Sequence, residues 1–368
     1  MSKWEMVSFD DVISDETKNG FKIPKEAYLK NGTYPIIDQG KNYVAGYTDD
    51  KTGLYKDVPI IIFGDHTRII KFIDFPLFLG ADGVKLLKCR NKNLNSKFLY
   101  YFLKTVHIPD TGYNRHFKWL KEIIIPMPPY DTQLKMVEIL DKINVIIEKR
   151  KMQIEKLNLL VKAHFVGMFG DPVTNPKRWE LGTIRDIAHE VKYGTSKPAN
   201  EKGKYPYLRM NNITYDGRLD LSDLKYIDIK DNELEKYIVR NGDVLFNRTN
   251  SKELVGKTCV FNIDKQMIIA GYIIRIRLNE KALPIYLSFV LNSDYGKLTL
   301  RAMCKTIIGQ ANINAQELQQ IKIQIPPITL QNRFADFVKQ IDKSSFVMQK
   351  GLEKLELTYK ALMQQYFG

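Results

Sequence analysis

The sequence predicts an α+β fold duplicated within one chain, with two mixed α/β domains separated by two long helices that pair as an antiparallel coiled coil under a pseudo-twofold internal repeat. Three observations predict it. Aligned without gaps at an offset of 198 (326 minus 128), Pro128–Gly170 and Pro326–Gly368 share twelve of 43 positions, including Pro128/Pro326, Pro129/Pro327, Gln133/Gln331 and Gly170/Gly368. Both copies carry apolar residues at strict four-three spacing, the period of a coiled-coil seam. A chain of 368 residues also exceeds what one ordinary core organises.

Each element has its own signal. In the first domain Val58-Pro59-Ile60-Ile61-Ile62, Ile69–Phe72 and Ile123–Ile125 read as strands, with a helix near Ser96–Lys104. The run Leu120–Ile125 reads as strand-like, as does its repeat Leu318–Ile323. The first long helix presents Met136, Leu140, Ile143, Ile147, Ile154, Leu157 and Val161, with Arg150 and His164 as polar breaks. In the second domain Gly271–Arg277 and Ile321–Ile325 read as strands and Pro284–Leu291 as a helix. The second long helix presents Phe334, Val338, Ile341, Met348, Leu352, Leu355, Tyr359 and Leu362, with Ser345 in register. Prolines cannot sit inside a helix, so each proline pair precedes one, and Asp131 or Thr329 is the expected cap. Gly170-Asp171-Pro172 ends the first. Residues 131–168 would span about 57 Å at ~1.5 Å per residue. The segments are 1–128 (first domain), 129–171 (first helix), 172–326 (second domain) and 327–368 (second helix). Both domains open alike, Lys3-Trp4-Glu5-Met6 against Arg178-Trp179-Glu180-Leu181 and Gly32-Thr33-Tyr34-Pro35 against Gly203-Lys204-Tyr205-Pro206. The alternative is that each helix packs only on its own domain.

Charge narrows the function. With 56 Lys and Arg against 42 Asp and Glu the net charge is +14, which favours a polyanionic partner. No apolar stretch approaches a membrane span or a secretory leader, and Cys89, Cys259 and Cys304 are odd in number and far apart. A reducing cytoplasm is the expected setting.

The chemical motifs are sparse. Met127-Pro128-Pro129-Tyr130 resembles the proline-proline loop of amino-group DNA methyltransferases, but neither Met127 nor Ile325 in the repeat supplies the required acceptor. Both read as strand-to-helix corners. No dinucleotide or P-loop glycine motif is present, and His66, His107, His116, His164 and His189 are scattered, so neither catalytic residues nor metal ligands are assigned. Four polar segments remain. Asp65, His66, Thr67 and Arg68 follow one strand, and Asn247, Arg248, Thr249, Asn250 and Lys252 follow Asp243–Phe246 in the other half. Arg pairs bidentately with guanine, Asn with adenine, and Thr or Lys with phosphate, so these loops suit DNA readout. Catalysis by the first, or ordinary solvated turns, stay open. Tyr113-Asn114-Arg115-His116 and Gly309-Gln310-Ala311-Asn312 form a second pair, with Asn114 and Asn312 matched at the same offset.

The order domain, proline-glutamine helix ending Phe169-Gly170-Asp171-Pro172, domain opening Arg178-Trp179-Glu180, and second proline-glutamine helix resembles the DNA specificity subunit of type I restriction and modification systems. The resemblance covers the whole chain. Gly242–Thr249 also looks like a stretch common in the recognition domains of that family, where the first half has Gly64–Arg68 instead. The resemblance implies a non-catalytic subunit whose two target recognition domains each read half of a split sequence in double-stranded DNA. Its helices would set the spacing and dock two modification (methyltransferase) subunits. Restriction subunits, an ATP-dependent translocase and nuclease, would join them, with S-adenosylmethionine, ATP and Mg²⁺ on the partners. A self-contained DNA-modifying enzyme and a coiled-coil scaffold are the alternatives.

Overall fold

The computed structural model describes residues 4–80, 82–112, 114–307 and 310–368, with backbone alone for 305–307 and 310. Of the residues singled out above, Lys3, Tyr113 and Gly309 lie outside the described residues, as does the side chain of Gln310. The chain packs as two compact units, 1–153 with 348–368, and 154–347. Each unit therefore holds one mixed α/β domain and half of each long helix.

The duplication extends well beyond the recognisable repeat. In the first unit Ile13–Asp15, Val84–Cys89, Ile60–Gly64 and Ile70–Ile73 form a four-stranded antiparallel sheet in that spatial order. In the second, Ala188–Tyr193, Ile273–Leu278, Val244–Asn247 and Thr258–Val260 do the same. A smaller sheet repeats too. Tyr34–Ile37 pairs antiparallel with Gly46–Thr48 and parallel with Phe78–Leu79, as Tyr205–Leu208 does with Lys225–Ile227 and Met267–Ile269. Finally Glu5–Ser8 pairs with Ile124–Met127, and Glu180–Thr183 with Lys322–Ile325. The matched openings at Trp4-Glu5 and Trp179-Glu180 are thus the starts of equivalent strands.

The continuous apolar run at Ile60–Phe63 has a structural cause. Successive side chains of a strand point to opposite faces. Ile61 and Phe63 pack with Phe98, Leu99 and Leu120, while Ile60 and Ile62 pack with Ile37, Leu77 and Leu79. The second unit repeats the sandwich, with Val244 and Phe246 against Tyr286 and Leu287, and Leu245 against Leu208 and Met267. The helices on that outer face are Ser96–Leu103 and Pro284–Asn292.

The proline corners are fastened by the repeated glutamines, both fully buried. Gln133 Oε1 accepts from the Asn95 amide at 2.8 Å, and its Nε2 donates to the carbonyls of Asn93 and Pro128, each at 2.8 Å. Gln331 Oε1 accepts from the Leu283 amide at 2.8 Å, and its Nε2 donates to Lys281 at 3.0 Å and Pro326 at 2.8 Å. Asn95 and Leu283 are the N-cap residues of the two domain helices. One side chain thus ties the first turn of each long helix to the start of its domain helix, satisfying three backbone groups that burial would otherwise leave unpaired.

The long helices run Tyr130–Phe169 and Ile328–Phe367, 40 residues each. None of the predicted seam residues is exposed. In the first unit Leu140 packs with Tyr101, Met363 and Tyr359, Phe367 lies 5.3 Å from Phe98, and Lys151 reaches Glu356 at 3.5 Å. In the second, Val161, Phe165 and Phe169 pack with Phe334 and Val338, and His164 sits 4.0 Å from Phe337. Rising numbers on one helix meet falling numbers on the other, so the halves are antiparallel within each unit. The helix ends also bury Phe165, Phe169 and Met363 off the seam, because there the apolar stripe widens to face a domain as well as the partner helix.

Two expectations need correction. Asp131 and Thr329 do not cap; the helices start at Tyr130 and Ile328, one residue earlier, with Pro129 and Pro327 supplying the first acceptor carbonyls. Leu120 and Leu318 are not strand residues. They lie in the short helices Phe117–Lys121 and Ala315–Gln319, with the strands beginning only at Ile124 and Lys322. Gly170 does end the first helix, at φ 82°, and the Trp179 indole donates to the Phe169 carbonyl at 2.8 Å. Gln331→Leu keeps the volume but strands three buried backbone groups, so it should cost about 2–4 kcal/mol. Chemical denaturation of the full chain checks this, and Gln331→Glu at neutral pH should not rescue it.

Candidate nucleic-acid interface

In each unit the loop after the central strand meets the segment before the repeated strand. In the first unit residues 65–68 form a tight loop closed by the Arg68 amide donating to Gly64 and the Gly64 amide donating to Ile69. Asp65 is buried. Its carboxylate accepts from the Phe117 amide at 2.7 Å, and its carbonyl accepts from the His116 amide at 2.8 Å and from His116 Nδ1 at 2.9 Å. His116 is wholly buried, its ring 5.4 Å from that of Trp119 and tilted by 37°. The Thr67 hydroxyl donates to the Gln39 carbonyl at 2.7 Å, and the His66 amide donates to Gln39 Oε1 at 3.1 Å. His66 Nδ1 meets the Asn114 carbonyl at 3.1 Å, where it must donate. Arg68 adopts φ 61°, unusual for a side chain of its size, and is held by Asp110 at 2.6 Å and the Ile108 carbonyl at 3.3 Å. The Gly112 amide, then Arg68, keep the Asp110 carboxyl below the usual carboxylate range. Asn114 and Arg115 are exposed.

The second unit builds the same junction with strands. Thr249–Asn250 pairs with Gln310–Asn312, Thr249 Oγ1 donates to Asn312 Oδ1 at 3.3 Å, and the Ile313 amide donates to the Arg248 carbonyl at 2.9 Å. Asn247 is fully buried, its Oδ1 accepting from the Thr249 amide at 3.2 Å. The Arg248 guanidinium lies 5.0 Å over the Tyr193 ring, and the Tyr193 hydroxyl accepts from the Ala315 amide at 2.7 Å. Arg248 forms no ion pair among the described residues. Lys252 is exposed.

The structure thus unites the candidates of each half and sorts them. Asp65, His116, Asn247 and Thr249 are buried and hold the junctions together. His66, Arg68, Asn114, Arg115, Arg248, Asn250, Asn312 and Lys252 retain access to solvent. Gln39, Asp110 and Tyr193, which position these groups, were missed because each acts across 27 residues or more. Among the described residues no group of three His, Cys, Asp or Glu could hold a metal ion, and no helix is long and apolar enough to cross a membrane.

The sequence matches the family described as the type I restriction modification DNA specificity domain over residues 1–157 and 176–357, once in each half. It is 23% identical over 387 aligned residues to the type I restriction enzyme EcoR124I/EcoR124II specificity subunit of Escherichia coli, covering 99% of this chain and 92% of that protein. With the EcoKI specificity subunit of E. coli strain K12 it shares 25% over 237 residues, covering 60% of this chain and 50% of that protein. Among solved structures, the S subunit of a type I restriction-modification system from M. genitalium has the same fold, with TM-score 0.63 at 16% identity over 100% of this chain and 96% of that one. The family pattern falls once on each half of a fold that is itself duplicated, and the chain belongs to the type I restriction modification DNA specificity domain family.

Proposed function

We propose that this chain is the address-reading subunit of a type I system, each domain reading one half of a split sequence in double-stranded DNA. The observation that carries this reading is the repeated junction, in which two polar segments distant in sequence converge at the same place on the same sheet in both units. Chemistry resides elsewhere in this reading. Two modification subunits bearing S-adenosylmethionine dock on the long helices, restriction subunits supply ATP- and Mg²⁺-dependent translocation and cleavage, and the assembly works in the cytoplasm.

The two junctions differ in readiness. Arg248 rests on an aromatic face and forms no ion pair among the described residues, which suits bidentate pairing with a guanine. Arg68 must exchange Asp110 for DNA. Its net contribution is smaller by the strength of the contact it gives up. Asp65 and Asn247 act through the backbone they fix.

Replacing residues 1–127 by the corresponding domain of another family member should change one half-site and leave the other intact, as read by mapping methylated adenines in cells carrying the hybrid. Alteration of both halves contradicts two independent readers. Arg248→Ala should weaken binding of the assembled complex by ~1–3 kcal/mol and relax selectivity in one half-site only, whereas Arg68→Ala should cost less. Competition binding against targets altered in either half separates these outcomes, and unchanged affinity for both variants removes the junctions from the interface.

A further inference from the structure

The second unit contains three cations gathered without a carboxylate against any of them. Lys257 and Lys297 are each 8% exposed. Lys257 Nζ donates to the Met210 carbonyl at 2.8 Å, and Lys297 Nζ donates to Asn292 Oδ1 at 3.1 Å and lies 5.0 Å over the Tyr215 ring. Arg301 follows one turn after Lys297 on the helix Asp294–Met303 and is exposed. None of the three forms an ion pair among the described residues. The nearby acids are otherwise placed, since Asp216 pairs with Arg218 at 3.4 Å and the exposed Glu253 feels Arg301 and Lys252 only at longer range.

The surroundings are built to hold these groups. Asn292 Nδ2 donates to the Thr258 carbonyl at 2.7 Å and to Ser288 at 2.9 Å, so its oxygen is aimed at Lys297. Gly217 turns at φ 83° directly against that amide, and a Cβ there would fall 2.5 Å from Asn292 Nδ2. The close turn carries Tyr215 over the ammonium. Burial first, then Arg301 and Lys257, push the Lys297 ammonium down to about 8, and an anion beside these groups would oppose that shift.

We propose that Lys257, Lys297 and Arg301 form a binding site for a phosphoryl oxyanion on the second unit. Lys297 and Arg301 stand one turn apart on one helix, and Lys257 precedes Thr258, whose carbonyl is bonded by the same Asn292 that holds Lys297; two ammonium groups and a guanidinium are the donor set that phosphate oxygens take. Two sources share this chemistry, a backbone phosphate of bound DNA and free phosphate. The first rests on the DNA reading above and fits the location. Leu300, between Lys297 and Arg301, stands against Gly256, where a Cβ would fall 2.5 Å from its Cδ1, and Gly256 is four residues from Lys252 of the readout loop.

Arg301→Gln, at an exposed position, and Lys297→Met test the site in the full chain. In the free-phosphate arm, the melting temperature is followed against inorganic phosphate at constant ionic strength with chloride as control. A saturable rise of a few degrees, lost in both variants, assigns the site to free phosphate. In the DNA arm, affinity of the assembled complex is followed against salt. For a backbone phosphate, each variant weakens all sequences alike by about five-fold, leaves the methylated motif unchanged, and flattens the log–log salt slope by ~0.9. If the unsubstituted complex binds no DNA, the DNA reading fails while the phosphate titration still decides the site. No phosphate-dependent shift together with unchanged affinity and slope in the folded Arg301→Gln protein overturns the proposal.

Discussion

The architecture depends on a single buried amide in each half. Gln133 and Gln331 sit where a strand turns through two prolines into a 40-residue helix, and each spends its oxygen on one N-cap amide and its nitrogen on two carbonyls. No apolar side chain meets those needs, and a charged one meets only part of them. The consequence is directional. A long helix hinged loosely at its start could leave its domain at many angles, whereas a three-point clamp on the domain helix fixes the exit. Within each unit the incoming end of one helix then finds the outgoing end of the other, and Phe367 or Phe169 completes the core beneath.

On that frame the two junctions have diverged in chemistry while keeping their place. The first is a compact loop braced by Asp65, Gln39 and Asp110; the second is a small sheet braced by Asn247 and Asn312 with an arginine stacked on tyrosine. This is the expected outcome when a duplicated scaffold holds position while its loops vary.

Much of this was legible in the residues, for reasons that can be named. Seam periodicity survives because helix neighbours are local, three and four residues apart, and every predicted seam position is shielded. The run Ile60–Phe63 announces a strand covered on both faces. The equivalence of Gly64–Arg68 with Asn247–Thr249 was legible only as a shared place after a strand, since it rests on sheet order rather than residue identity. Short strands such as Phe78–Leu79 exist only because Tyr34–Ile37 lies beside them. Leu120, Ile123 and Ile125 mix helical and strand spacing, so a one-turn helix running into a strand reads as one element.

If each domain reads one half-site and the paired helices set the distance, the separation of the half-sites follows the helix length. Inserting one heptad after Arg150 and another after Met348 keeps both seams in phase and lengthens each helix by about 10.5 Å at ~1.5 Å per residue. Single-molecule mapping of methylated adenines then reads the target directly. The expected result is the same bases at both ends and half-sites separated by up to ~3 more base pairs, at ~3.4 Å each. An unchanged separation in a folded, active complex would contradict it.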